Sequence, residues 1–210
     1  MSTEIEDNVG FKHEAIKLDE ATGKYITASG ILVPRVHDVL KQAGHLRDYS
    51  NPYYMERGRQ AHLATELYDR GELDEETLGA TLRPYLEAWK LFKKENSVEV
   101  LEIEKLVYCP LYGVGGRLDR ALKIKNQKLL ADIKTGEPEK WTGIQLAAYQ
   151  SLDCHDCQKI LEPYDLRVVV QLKDDGTFRV HDFSDDQHQD GWEGALATYQ
   201  WRRHFKCLKT

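Results

Sequence analysis

The chain has 210 residues, 41% hydrophobic and 30% charged, enough to bury one substantial core. Its formal net charge of −6 excludes a protein coated in basic surface for tight, sequence-blind nucleic-acid binding, though not a local basic site. No apolar run approaches the roughly 18 to 20 residues of a membrane span. The polar start MSTEIEDNVG lacks the basic region and apolar stretch of a secretory signal, so no membrane partner and a cytoplasmic location are expected.

No internal repeat, low-complexity tract or Pro/Gly/Ser-rich linker marks a boundary. One domain is therefore expected over 1–210: a lead-in at 1–28, a helical part at 29–95, a sheet with its helix at 96–183, and a last helix at 184–210. Helical spacing appears near 29–43 (Ile31, Leu32, Val36, Val39, Leu40) and near 52–70 (Ala61, Leu63, Ala64, Leu67, Tyr68), the second stopped by Gly71. A third helix is expected over 74–95, with a break at Pro84.

VEVLEIEKLVYC at 98–109 reads as a strand, and GRLDRALKIKNQKLLADIK at 116–134 as a hairpin. TGIQLAAYQSL at 142–152 is helical, with Thr142 as a candidate N-cap and Ile144, Ala148 and Leu152 as an apolar stripe. DLRVVVQL and FRVHDF are strands joined by an Asp-Gly turn, and a helix follows over about 188–206. The order of helices, three strands, helix, two strands, helix predicts an α/β fold of the α+β kind, a central mixed sheet flanked by helices. Cys109, Cys154, Cys157 and Cys207 are too few for a disulfide scaffold and are expected as free thiols. CHDC at 154–157 has the spacing of half a zinc site, but no second pair completes it.

The hairpin poses a problem of charge. Leu129, Leu130, Ala131 and Ile133 suggest a strand buried on both faces, yet Asp132 and Lys134 interrupt it and Asp119 lies across the hairpin. A buried carboxylate needs a partner, and a divalent cation between two carboxylates supplies one. Asp132 and Lys134 share a strand face, Gln145 and Tyr149 share a helix face, and the two groups can border one cleft with Asp119. Two carboxylates suit Mg²⁺ or Mn²⁺, and Lys134 can stabilise charge on a phosphate. From Arg117 to Lys140, seven cations against four acids leave a local charge of +3.

GRLDR, the step of thirteen positions from Asp119 to Asp132 in DIKTG, and QLAAY together resemble the core of the PD-(D/E)XK nuclease superfamily, especially RecB-type nuclease domains and phage recombination exonucleases. Upstream, ERGRQAH resembles the G-x-x-x-H element of that group, with Gly58 and His62 on the helix before the sheet. The likeness spans about residues 29–172. It implies a restriction-endonuclease-like core and a Mg²⁺- or Mn²⁺-dependent DNA exonuclease of phage or bacterial recombination and repair. Its implied metal ligands are His62, Asp119, Asp132 and the backbone carbonyl of Ile133. Asp119, Asp132 and Lys134 would be catalytic, with Gln145 and Tyr149 touching the DNA strand or orienting the lysine; both could instead satisfy buried backbone groups. Glu104, in LEIEKL, sits where many relatives carry a further acid, and otherwise reads as a solvent-facing strand residue.

Some relatives hold an iron–sulfur cluster through one cysteine before the core and three near its end; this chain lacks that set, and none is expected. It also lacks a Walker A loop, so DNA unwinding would come from a helicase, and a recombinase or annealing protein is another expected partner. A structure-selective endonuclease, or a catalytically weak DNA-binding module of the same fold, are the alternatives.

Overall fold

The computed structural model describes residues 15–19, 22–46, 51–156, 159–160 and 164–207. Cys157, half of the CHDC pair, lies outside them. A small antiparallel sheet comes first, in the order β1 (Ile16–Asp19), β2 (Lys24–Thr27) and β3 (Leu32–Val33). The helix expected from residue 29 begins only at Val36, as α1 (Val36–Ala43). Gly30 turns the chain at φ 84°, and Pro34, without an N–H, holds the preceding Val33 extended. Ile31 and Leu32 are consequently exposed at 61% and 56% rather than packed on a helix face, while Val36, Val39 and Leu40 are buried.

The second helix, α2 (Pro52–Arg70), matches its expected span: Asn51 accepts the N–H of Tyr53, Pro52 opens the first turn, and Gly71 closes it at φ 72°. The third is shorter than expected. Residues Glu75–Thr77 form a single 3₁₀ turn, and α3 runs Arg83–Asn96 with Pro84 in its first turn, where the missing N–H costs nothing; the proline starts this helix instead of breaking it.

A five-stranded sheet follows, built from β4 (Glu99–Cys109), β5 (Val114–Ile124), β6 (Gln127–Lys134), β9 (Leu166–Leu172) and β10 (Phe178–Asp182), in the order β10-β9-β6-β5-β4. Within this sheet β6 and β9 pair in parallel and the other neighbours antiparallel; α4 (Trp141–Cys154) and the short pair β7 (His155–Asp156) and β8 (Lys159–Ile160) connect β6 to β9. Thr142 lies inside the first turn of α4 and is not its N-cap. The last helix is α5 (Gln187–His204).

One sheet face packs on α2 and α3 through Ala61, Trp89, Phe92, Leu122, Leu129 and Val170. The other carries α4, backed by α1 and α5, over Leu118, Ala121, Leu130, Val169 and Trp192. β6, between the two layers, is buried from Leu129 to Ile133. Full burial of each large apolar side chain here stabilises the fold by about 1.5–3 kcal/mol. Among the described residues no helix is long and apolar enough to cross a membrane.

A fully buried cation lies within this packing. Arg120 of β5 is 0% exposed. Its Nε donates to Asp69 Oδ2 at 2.9 Å, its Nη1 to Glu104 Oε1 at 3.0 Å and to the carbonyl of Asp119 at 2.7 Å, and its Nη2 to Thr65 Oγ1 at 3.3 Å. Asp69 also accepts Trp89 Nε1 at 3.1 Å and Lys93 Nζ at 2.6 Å, so α2, α3, β4 and β5 meet at a single ion cluster. Removing one partner of a buried pair leaves an uncompensated charge. Asp69→Ala is expected to lower stability by about 3–5 kcal/mol in urea unfolding, and the melting temperature by about 10 °C. A loss below about 1 kcal/mol, the level of a surface pair, would show that Arg120 finds its counter-charge elsewhere.

Candidate metal centre

The hairpin register pairs Arg120 with Ala131, which sets Asp119 opposite Asp132 at the open end of the β5–β6 ladder. Asp119 Oδ2 accepts the amide N–H of Ile133 at 2.9 Å and lies 3.3 Å from His62 Nδ1 on α2. The contact given at Ile133 is thus through its N–H, which orients Asp119. His62 is placed by the same cluster that buries Arg120: Thr65, one turn along α2, donates to the His62 carbonyl at 2.9 Å and accepts from Arg120.

Glu104 joins this pair. β4 carries a register shift between Val100 and Glu102, and Glu104 itself has φ 50°, a backbone state that non-glycine residues rarely hold. Two guanidinium groups hold it there, Arg117 Nε at 2.9 Å from Oε2 and Arg120 Nη1 at 3.0 Å from Oε1. One ligand atom each from His62, Glu104 and Asp119 lies within 4.8 Å of the others. An imidazole nitrogen and two carboxylate oxygens at that spacing are a donor set for a divalent cation. The electrostatics agree. Burial, then the field of Asp119, push the Glu104 carboxyl up to about 7 against Arg117, Arg120 and His62, a strain that a shared cation would relieve.

Asp132 is 3% exposed and stands beside this group rather than among its three ligands. Burial raises its pKa, opposed mainly by Lys134. Lys134 Nζ is 2.8 Å from Asp132 Oδ2, a close ion pair that supplies the buried carboxylate with its counter-charge. Desolvation works against the ammonium, but Asp132 and Asp119 outweigh it and hold the Lys134 pKa above the usual lysine value. Lys134 is charged at neutral pH.

Gln145 and Tyr149 share a face of α4, with Gln145 Nε2 donating to the Tyr149 hydroxyl at 2.9 Å. Burial drives the Tyr149 pKa well above the tyrosine range, so it keeps its proton. A Cβ at Gly116 would lie 2.5 Å from Tyr149 Cε1, so the glycine of GRLDR is what lets this ring lie against β5. Gly58 has no such duty: a Cβ there would meet only Thr135 Oγ1, at 3.7 Å.

These groups border a cleft of about 1190 Å³ between α2, the loop after β6 and the start of α4, whose lining includes His62, Glu104, Asp119, Lys134 and Tyr149. Asp132 and Gln145 stand behind that lining. Sequence reasoning missed Asp69, Arg120 and Arg57, which donates from Nη2 to the Thr135 carbonyl at 3.0 Å and ties α2 to the end of β6. The sign for Arg120 was present, since a cation between Leu118 and Leu122 in a buried strand raises the same question as Asp132.

No family model and no curated protein matches the sequence. Among solved structures, a candidate exonuclease from Eubacterium rectale is 14% identical over 83% of this chain and 74% of its own, with a TM-score of 0.49. LHK-Exo, solved in complex with dAMP, is 13% identical over 83% and 89%, with a TM-score of 0.40. SSO0001 is 18% identical over 78% and 84%, with a TM-score of 0.32.

The raised Glu104 value fixes a sign for stability against pH. From its ordinary 4.5 to about 7, folded Glu104 keeps a proton that the unfolded chain has released. Its contribution is therefore complete below about pH 4.5 and is lost as pH rises through 7, about 3 kcal/mol in all. Urea unfolding of the protein in chelator, at a series of pH values, should show this decline, and Glu104→Gln should flatten it. An equal slope in the variant would mean that Glu104 ionises normally.

Proposed function

We propose that this chain is a divalent-cation-dependent deoxyribonuclease, specifically an exonuclease that hydrolyses phosphodiester bonds from DNA ends with Mg²⁺ or Mn²⁺. The observation that carries the reading is the convergence of His62, Glu104 and Asp119 in a cleft whose wall also presents Lys134. The resemblance of G-x-x-D, D-x-K and Q-x-x-x-Y, in order on strand, strand and helix, supports it.

The residues would divide the work as follows. His62, Glu104 and Asp119 would hold the cation, with Asp132 and the Ile133 carbonyl as further candidate ligands. The chemistry such a cation would supply there is polarisation of a phosphoryl oxygen and acidification of a water. The Ile133 N–H fixes Asp119 Oδ2, the oxygen that faces His62, so the carboxylate is held in place without reorganising. Lys134, kept charged by Asp132, stabilises negative charge developing on the phosphate. Tyr149 keeps its proton and so acts as a hydrogen-bonding group, not a base. The natural setting would be recombination or repair in a bacterial or phage-infected cytosol, with a helicase or annealing protein supplying what the chain lacks.

The test uses end-labelled linear DNA and covalently closed circles with Mg²⁺ or Mn²⁺. Linear DNA should be lost from its ends, circles should survive, and chelator should stop the reaction. Nicked circles would instead select an endonuclease, and binding without loss a DNA-binding module. Asp119→Asn should reduce cleavage at least about 100-fold with metal affinity lost. Lys134→Ala should lose about 10²- to 10³-fold in rate while calorimetry shows metal affinity within about threefold of wild type, because its ammonium acts on the phosphate. Near wild-type cleavage by Asp119→Asn at saturating metal would overturn the assignment.

A further inference from the structure

The wall of the cleft continues beyond the metal centre along α2. Asn51, Tyr54, Met55, Gly58, His62 and Glu66 all line it, a stripe at helical spacing along one face. Tyr54 lies eight residues before His62, about 12 Å along the helix axis, or about three to four stacked base steps. At that end α2 shows large side chains to solvent: Tyr53 is 61% exposed, Tyr54 56% and Met55 53%. Packing does not account for three such residues in one turn. The Tyr53 and Tyr54 rings meet edge to face at 5.4 Å, with Arg57 over the Tyr54 ring.

A cation lies behind them. The Arg57 guanidinium sits 4.9 Å from the Tyr54 ring centroid and lines the same cleft. Its Nη2 is used by Thr135, but its Nε is buried with no partner among the described residues. Exposed rings beside a cation, in line with a hydrolytic centre, match the needs of unpaired nucleotides, whose bases stack on aromatic faces while their phosphates meet positive charge.

We propose that Tyr53, Tyr54 and Arg57 form a single-strand subsite, in which unpaired bases of the DNA substrate stack on the tyrosines while the backbone runs past Arg57 toward His62. The inference rests on the nuclease reading and adds to it a substrate class: DNA with an unpaired end. A duplex end offers the rings only its terminal base pair, so a tailed end binds more tightly.

Fluorescence anisotropy with labelled duplexes, blunt or carrying three-nucleotide tails of either polarity, tests this in chelator, where no cleavage interferes. Wild type should prefer one tailed duplex over the blunt one by about tenfold or more. Tyr53→Ala/Tyr54→Ala should lose that preference, whereas Tyr53→Phe/Tyr54→Phe, which keeps the ring faces, should retain it. Abasic nucleotides in the tail should weaken wild type and leave the alanine variant unchanged. A tail preference that survives in the alanine variant, or no preference in wild type, overturns the subsite; so does a variant that binds every DNA like wild type, which would give this face to a protein partner. Cleavage of linear DNA by wild type with Mn²⁺ is measured in parallel. Cleavage without a tail preference rejects the subsite alone, and neither binding nor cleavage rejects the nuclease reading with it.

Discussion

A buried guanidinium is the constraint on which the rest of this structure turns. Moving a charge out of water is expensive, and Arg120 is tolerated within the sheet only because Asp69, Glu104, Thr65 and the Asp119 carbonyl all meet it. Those partners come from α2, β4 and β5. Satisfying Arg120 therefore fixes the height and rotation of α2 over the sheet edge. It also draws Glu104 inward through a strained backbone and holds the strand next to Asp119. His62, seven residues before Asp69 on the same helix, is carried to 3.3 Å from Asp119 as a result. Arg120 and Asp69 serve the site by geometry, since neither lines the cleft.

The same economy appears in the charges that face the cleft. Glu104 shares its two oxygens between two arginines and still has its ionisation opposed, first by burial and then by Asp119. Asp132 and Lys134 instead settle each other, one buried acid keeping one ammonium protonated. The arrangement separates a place that invites a cation from a cation the protein already owns. Gly116 and Tyr149 couple the layers behind it, because the absent side chain on β5 is filled by the ring from α4.

Much of this was legible in the sequence, and the reason lies in the range of each signal. The strands of the large sheet and α2 are set by local patterns: apolar runs, an Asn-Pro start and a Gly stop. The small sheet β1–β3 was not, because strands of four and two residues carry too little periodicity, and the apolar Ile31 and Leu32 imitated a helix face that Pro34 forbids. Asp119, Asp132, Lys134, Gln145 and Tyr149 were singled out by their spacing within short motifs. Glu104 stayed undecided because its direction depends on a bulge and a positive φ, which no residue type announces. The partnership of Asp69 with Arg120 spans 51 residues and two element types, beyond any local pattern.

The central claim, that His62, Glu104 and Asp119 together hold the cation that activates phosphodiester hydrolysis, is tested most directly by anomalous diffraction from crystals of the protein soaked in Mn²⁺. The account predicts a manganese peak between His62, Glu104 and Asp119, within coordination distance of at least two carboxylate oxygens and one imidazole nitrogen. Manganese bound elsewhere in the cleft, or no peak there in protein that cleaves DNA with Mn²⁺, would contradict it.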